Sequence, residues 1–283
     1  MASMKDIKRR KGSVQSTQQI TKAMKLVSTV KLQKARANAE NANPFFNHMY
    51  NTINSILRKC EGISHTYLNP PASDKIGVIV ISANRGLAGG YNSNIVKMVT
   101  GMEVSKEQIE IYAIGTKGRD ALQNRGYRIA ADFSQYVEGP TYEDARVVSN
   151  RVLADYAEGK IGEIQLIYTH FKNTVVHIPT LIKLLPVEQE KSEETENDIP
   201  MNFEPSEEEV LDQLIPKYIT SLIYGALVEA VASENGARMQ AMDSATSNAE
   251  EIISDLSLKY NRARQGAITQ ELTEIIAGAS AIS

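Results

Sequence analysis

Cysteine is almost absent from this chain. Among 283 residues there is one, Cys60, which excludes an internal disulfide and leaves no thiolate cluster for zinc. It reads as an ordinary helix residue. No uninterrupted apolar run reaches the roughly 18 residues that a bilayer crossing needs, so no segment is expected to span one. The N-terminus also lacks the apolar stretch of a signal peptide. A cytosolic chain is expected, attached to a membrane only through partners. Proline is missing before Pro44, and after Pro205 only Pro216 occurs. The first 43 residues are therefore free of the residue that most often breaks a helix, and the last segment holds it once.

What is present is a division of charge that the formal net charge of -3 conceals. From Met1 to Arg36 ten residues are basic and one, Asp6, is acidic; from Ser206 to Ser283 twelve are acidic and five basic. That asymmetry is more informative than the total, because two helices of opposite charge can pair antiparallel. In the first, Ile7, Val14, Thr21, Ser28, Ala35, Ala42, Met49 and Ile56 recur every seven residues. This is a weak coiled-coil seam of mostly small side chains, which lets helix axes approach closely. A break or bend is expected before Pro44, since the residue preceding proline avoids the α region. At the other end, Ser206 and Glu209 have capping-box spacing, and three glutamates suit the positive end of a helix dipole. Pro216 marks either a bend or a start one turn later. Apolar residues then recur at helical steps: Leu211, Leu214, Tyr218, Leu222 and Ala226; Met242, Ala245, Ala249, Ile252 and Leu256; Ile268, Leu272, Ile275, Ala279 and Ile282. A continuous helix of roughly 70 residues would be about 105 Å long and needs a partner along its length.

Between the ends, strands over 76–82, 109–114 and 163–168 alternate with helices over 92–102, 117–125 and 142–158. A further strand over 173–185 follows a short turn and is expected to be antiparallel. The alternation predicts an α/β fold with a mostly parallel sheet covered on both faces, a Rossmann-like domain beside the long antiparallel coiled coil. The expected organisation is a coiled-coil helix over 1–68, the α/β domain over 74–187, an acidic flexible loop over 188–209, and a second coiled-coil helix over 210–283. The loop carries ten acids and one base, Lys191.

Catalytic chemistry is hard to place. Ser82 to Asn92 reads SANRGLAGGYN, a strand, glycines and a helix start where backbone N–H groups attract anions. Yet Gly86, Gly89 and Gly90 meet neither dinucleotide nor P-loop spacing, and the next strand ends in Gly115-Thr116-Lys117 without an acid to grip a ribose. A tight structural turn or a subunit contact is the better reading. The four histidines, His48, His65, His170 and His177, show no metal-pair spacing, and no Ser/His/Asp set can be argued. Lys8 to Lys11 is basic enough for nucleic acid, but aromatic stacking groups are missing there and the acidic helix competes for it. No catalytic, metal or cofactor residue is therefore assigned.

Four blocks carry a resemblance: IKRRKGSVQST (Ile7 to Thr17), QITKAMKLVSTVKLQKA (Gln19 to Ala35), the SANRGLAGGYN block, and Ser233 to Ile275. Together they resemble the gamma subunits of F-type ATP synthases, essentially end to end. The resemblance implies a central rotor shaft that passes torque between ion flow and ATP chemistry on the beta subunits, without catalysing either. It implies alpha and beta subunits, an epsilon subunit and the membrane ring of c subunits as partners. It also implies a peripheral place on the cytoplasmic side of the cell membrane and no partnership with nucleic acid. On the matching positions it implies contacts with the catalytic ring by Lys22, Met24, Lys25, Arg238, Arg264, Gln265, Thr269 and Glu271, with Lys22, Lys25 and Arg238 suited to acidic loops. An axle must not stick to its housing, and Ser244, Thr246, Ser247 and Asn248 are expected on the outer face, small or polar.

Overall fold

The computed structural model describes residues 4–59, 65–187 and 206–282, and all side chains among these except 39–55, 57–59, 207 and 280–282. Cys60, the side chain of His48 and most of the acidic segment (188–205) lie outside the described residues. The chain divides into two compact units, Met1–Ser28 with Arg238–Ser283, and Thr29–Ala237.

Two helices contribute to both units. The first, α1, covers Met4–Lys59, and its helical assignment continues through Pro44, where a break was expected. The last, α5, covers Glu207–Ile282 with Pro216 inside it. Ser206 caps it by accepting the Glu209 amide at 3.2 Å, so the helix starts well before Pro216, which lies in its interior, where its missing N–H removes a hydrogen bond to the preceding turn. One stretch of α5 is long and apolar enough by composition to cross a bilayer, and more than half of it is buried within the protein. The uninterrupted-run criterion did not reveal it, because small and polar residues are scattered through it.

The larger unit is built on a sheet. Its elements are β1 (Ile76–Ile81), α2 (Tyr91–Thr100), β2 (Ile109–Ile114), α3 (Thr116–Gln123), β3 (Arg128–Asp132), α4 (Tyr142–Ala157), β4 (Glu163–Phe171) and β5 (His177–Leu185). The strand order is β3-β2-β1-β4-β5. The first four strands run parallel, and β5 is antiparallel to β4, as its short turn predicted. Alternating residues of the central strands divide between two cores. Val78, Val80, Ile111, Ala113 and Ile167 meet Ile95, Val99 and Leu122 of α2 and α3 on one face. Ile79, Ile81, Tyr112, Ile114 and Leu166 meet Val148, Val152 and Tyr156 of α4 and Ile219, Ile223 and Leu227 of α5 on the other. Strands buried on both faces read as unbroken apolar runs, which made them legible. The exception is β3, a half-exposed edge strand with no such run, and the sequence reading omits it.

A buried carboxylate ties this unit together. Asp155 on α4 accepts from the Tyr112 hydroxyl, Arg151 Nε and Lys160 Nζ, each at 2.9 Å. Burial opposes its charge, but these donors hold its carboxyl below the usual carboxylate range. The same burial, with the bond to Asp155, pushes the Tyr112 phenol well above its ordinary value. A depressed acid stabilises the fold at neutral pH and loses that effect as the pH falls through its folded value. Asp155→Ala leaves the Tyr112 hydroxyl unsatisfied and should cost about 1–3 kcal/mol at neutral pH by urea denaturation. The gap to wild type should narrow below about pH 4; a gap independent of pH would refute the charged pairing.

Candidate functional site

The glycine loop after β1 folds onto its own chain. At the start of α3, the Thr116 amide donates to Asn84 Oδ1 at 2.9 Å, the Lys117 amide to the Ala83 carbonyl at 3.0 Å and the Gly118 amide to Ser82 Oγ at 2.9 Å. Residues 82–84 thus cap the start of α3; the helix start singled out in the sequence is that of α2, whose N-cap Gly90 supplies no side-chain cap. Gly115 makes this possible: its φ is +110°, and a Cβ there would stand 2.1 Å from the Ser82 carbonyl oxygen. Asn84 also donates to the Ser134 carbonyl at 2.9 Å, and Asn92 Oδ1 accepts the Ala83 amide at 2.9 Å. The loop is a tight structural turn, with Arg85 and Leu87 left at the surface.

Open sheets with this strand order bind ligands in the crevice at the carboxyl ends of the strands, where the order reverses. Here the reversal lies between β1 and β4, and α5 fills it. Ile81, Ser82, Tyr91 and Val137 enclose Leu227, Ala230, Val231 and Glu234 with no water-sized space between them. Ser233 Oγ donates to the Thr169 carbonyl at 3.0 Å, and the Tyr91 hydroxyl to the Ala230 carbonyl at 3.3 Å. The nucleotide position of the fold is occupied by the chain's own helix.

In the smaller unit α1 and α5 run antiparallel. Gln18 Nε2 donates to Glu250 Oε1 at 3.0 Å, the Thr21 and Thr246 hydroxyls meet at 2.8 Å, and Lys25 Nζ reaches Asp243 Oδ1 at 2.5 Å. Along α1 the covered positions are Ile7, Lys11, Val14, Gln18, Thr21, Met24, Lys25 and Ser28, which apart from Met24 alternate steps of four and three. The seven-residue repeat read from the sequence is one half of this seam. The other half escaped notice because Lys11, Gln18 and Lys25 are polar. On α5 the seam takes Met242, Thr246, Ala249, Ile253, Leu256, Tyr260 and Ala263. Two expectations change: Ile252 is 44% exposed and Ile253 takes its place, while Thr246 faces the seam rather than the outside. Ser244, Ser247 and Asn248 are exposed as expected. The outside of α1 is not uniformly polar, since Ile20, Leu26 and Val27 are each more than half exposed.

The register set by the three bonds places Met4 opposite Arg264, so residues 265–282 of α5 extend about 27 Å past the start of α1. Ile268, Leu272, Ile275 and Ile276 are accordingly exposed. Of the eight residues singled out, Lys22 is exposed, Met24 half-buried, and Arg264, Gln265, Thr269 and Glu271 exposed. Lys25 is already paired with Asp243, and Arg238 is 8% exposed. Neither therefore offers the free surface charge that their residue types suggested. The structure distributes the eight along the helices rather than gathering them, with Arg238 and Arg264 roughly 39 Å apart along α5.

Comparison with known proteins decides what this arrangement belongs to. A family model described as ATP synthase matches residues 3–282. A curated relative, the ATP synthase gamma chain of Lachnoclostridium phytofermentans, is 62% identical over 291 aligned positions that cover all of both chains. The chain belongs to the ATP synthase gamma-chain family. The fold of the family recurs in distant solved structures. A chain of the Euglena gracilis mitochondrial ATP synthase (OSCP/F1/c-ring, rotational state 3) superimposes with a TM-score of 0.71 at 18% identity, covering 99% of this chain and 94% of that one. A chain of the Tetrahymena thermophila mitochondrial ATP synthase central stalk and c-ring gives 0.58 at 22% identity, over 80% and 99%. At such identities the likeness shows the fold alone.

The Thr21–Thr246 bond is the most enclosed of the three rungs, because Thr21 is buried. A double-mutant cycle with Thr21→Val and Thr246→Val should give a coupling of about 0.5–1.5 kcal/mol in chemical denaturation. A coupling indistinguishable from zero would remove the rung.

Proposed function

We propose that this chain is the central rotor shaft of an F-type ATP synthase. It carries torque between ion flow through a membrane ring of c subunits and the ATP chemistry of a ring of alpha and beta subunits. An epsilon subunit is a further partner. The chain is thereby part of a membrane-associated complex, peripheral and on the cytoplasmic side of the cell membrane, and itself non-catalytic. The observation that carries this reading is the antiparallel pairing of α1 and α5 through Gln18–Glu250, Thr21–Thr246 and Lys25–Asp243.

Physical chemistry supports the role. Helices joined along their lengths resist bending, whereas either one alone is marginal. The exposed face of α5 opposite the seam is small and polar at Ser244, Ser247 and Asn248, so no single rotational pose is strongly preferred. Surface ion pairs are worth only about 0–1 kcal/mol and can break and re-form as the shaft turns. Lys22, Arg264 and Glu271 present charges for such pairs, and Met24, Gln265 and Thr269 offer weak uncharged contacts beside them. Lys25 and Arg238 act from within the paired helices, Lys25 by holding Asp243. Force is shared over many weak contacts rather than concentrated in one. The shaft helices are α1 (Met4–Lys59) and α5 (Glu207–Ile282), so Glu207, Glu208 and Glu209 belong to the second helix rather than to the acidic loop expected over 188–209.

Reconstitution of alpha and beta subunits with and without this chain tests the reading. ATPase activity should appear only when the chain is present; equal activity in its absence would defeat the shaft assignment. In assembled complexes, Met24→Ala or removal of the last turns of α5 should lower coupling without abolishing rotation. Complete arrest from either change would contradict shared loading.

A further inference from the structure

We infer that the crevice at the carboxyl ends of β1 and β4 is a socket that locks α5 against rolling on the sheet, with Gly236 and His177 as its positioning residues. The inference rests on the shaft reading and adds where, within the chain, the sheet holds the helix. Every residue from Ala226 to Ala237 is buried or half-buried, about three turns of helix enclosed on all sides. Two faces of this segment are engaged. Glu229, Ser233 and Gly236 follow the i, i+4, i+7 step and face β4 and β5. Glu229 Oε2 meets His170 Nδ1 at 2.7 Å, Ser233 Oγ bonds the Thr169 carbonyl at 3.0 Å, and Gly236 lies against the His177 ring. Ala230 and Ala237 lie about 100° round the helix. There the Ala230 carbonyl accepts from Tyr91, and Ala237 packs on Ala83, Ala88 and Tyr91.

A helix held on one face can roll; one held on two faces cannot roll without breaking both sets of contacts. Gly236 is the tightest point. A Cβ there would stand 2.5 Å from His177 Nε2, closer than real Cβ atoms come, and 3.2 Å from Cε1. The imidazole is half-buried, its enclosed Nε2 has no hydrogen-bond partner, and its ring lies 6.0 Å from that of Phe171, so an added methyl must displace it. Glycine at 236 therefore lets the helix seat fully in the crevice. Overpacking at such a point moves backbone as well as side chains.

The test uses complexes assembled with wild-type, Gly236→Ala, and Gly236→Ala/His177→Ala chains in membrane vesicles, together with melting of each full-length chain. Gly236→Ala should leave ATP hydrolysis near wild type, yet lower ion pumping per ATP by roughly twofold or more and reduce Tm by several degrees. Removing the opposing ring in the double variant should restore most of both. Pumping by Gly236→Ala equal to wild type, or a double variant as uncoupled as the single one, overturns the locking role. An unchanged Tm for Gly236→Ala overturns the contact itself. Wild-type complexes that hydrolyse ATP without pumping would instead defeat the shaft reading, and the Tm comparison would still decide the socket.

Discussion

The enclosure of α5 between the ends of β1 and β4 is the constraint on which the larger unit depends. A parallel α/β sheet with this strand order creates a crevice as a geometric consequence of its topology. Most such sheets leave it for a ligand. In this chain Leu227, Ala230, Val231 and Glu234 fill it, and residues 82–84 cap the neighbouring helix end that could otherwise take an anion. The same features that argue against nucleotide binding are the ones that fasten a long helix to the sheet. A fold associated with catalysis has here become a holder.

The smaller unit follows a different logic. Its seam is half apolar and half polar, with Ile7, Val14, Ile253 and Leu256 interleaved with Gln18, Thr21, Lys25 and Thr246. Small residues bring the helices close, and direct bonds between side chains fix which residue meets which. Polar groups in a coiled-coil seam give up stability for a defined register. That exchange suits two helices that must keep their alignment under load. Among the described residues of the α5 tip, Ile268, Leu272, Ile275 and Ile276 are exposed.

Much of this was legible in the residues, and the failures are instructive. The central strands declared themselves because burial on both faces demands unbroken β-branched runs. Strand β3 lies at an edge, needs no such run and gave no signal. Thr21 and Ser28 were recognised as seam positions by their spacing, but Lys25 was read as a free cation because its partner Asp243 is 218 positions away. Ile252 and Ile253 are chemically the same, and only the angle at which the two helices meet selects the second. Arg238 has the residue type of a surface contact, yet it is buried among neighbours that no local pattern announces.

The order of residues alone determined the helical ends, their opposite charge, the alternation of strands and helices, and the blocks that mark the family. These are matters of local periodicity and composition, and each is encoded within a few turns of chain. Tertiary structure alone decided that the glycine loop caps α3, that α5 closes the ligand crevice, and that Gly236 lies against the His177 ring. Each of these is a contact between residues far apart in sequence, the last being that of Gly236 with the His177 ring, and one-dimensional spacing carries no such information.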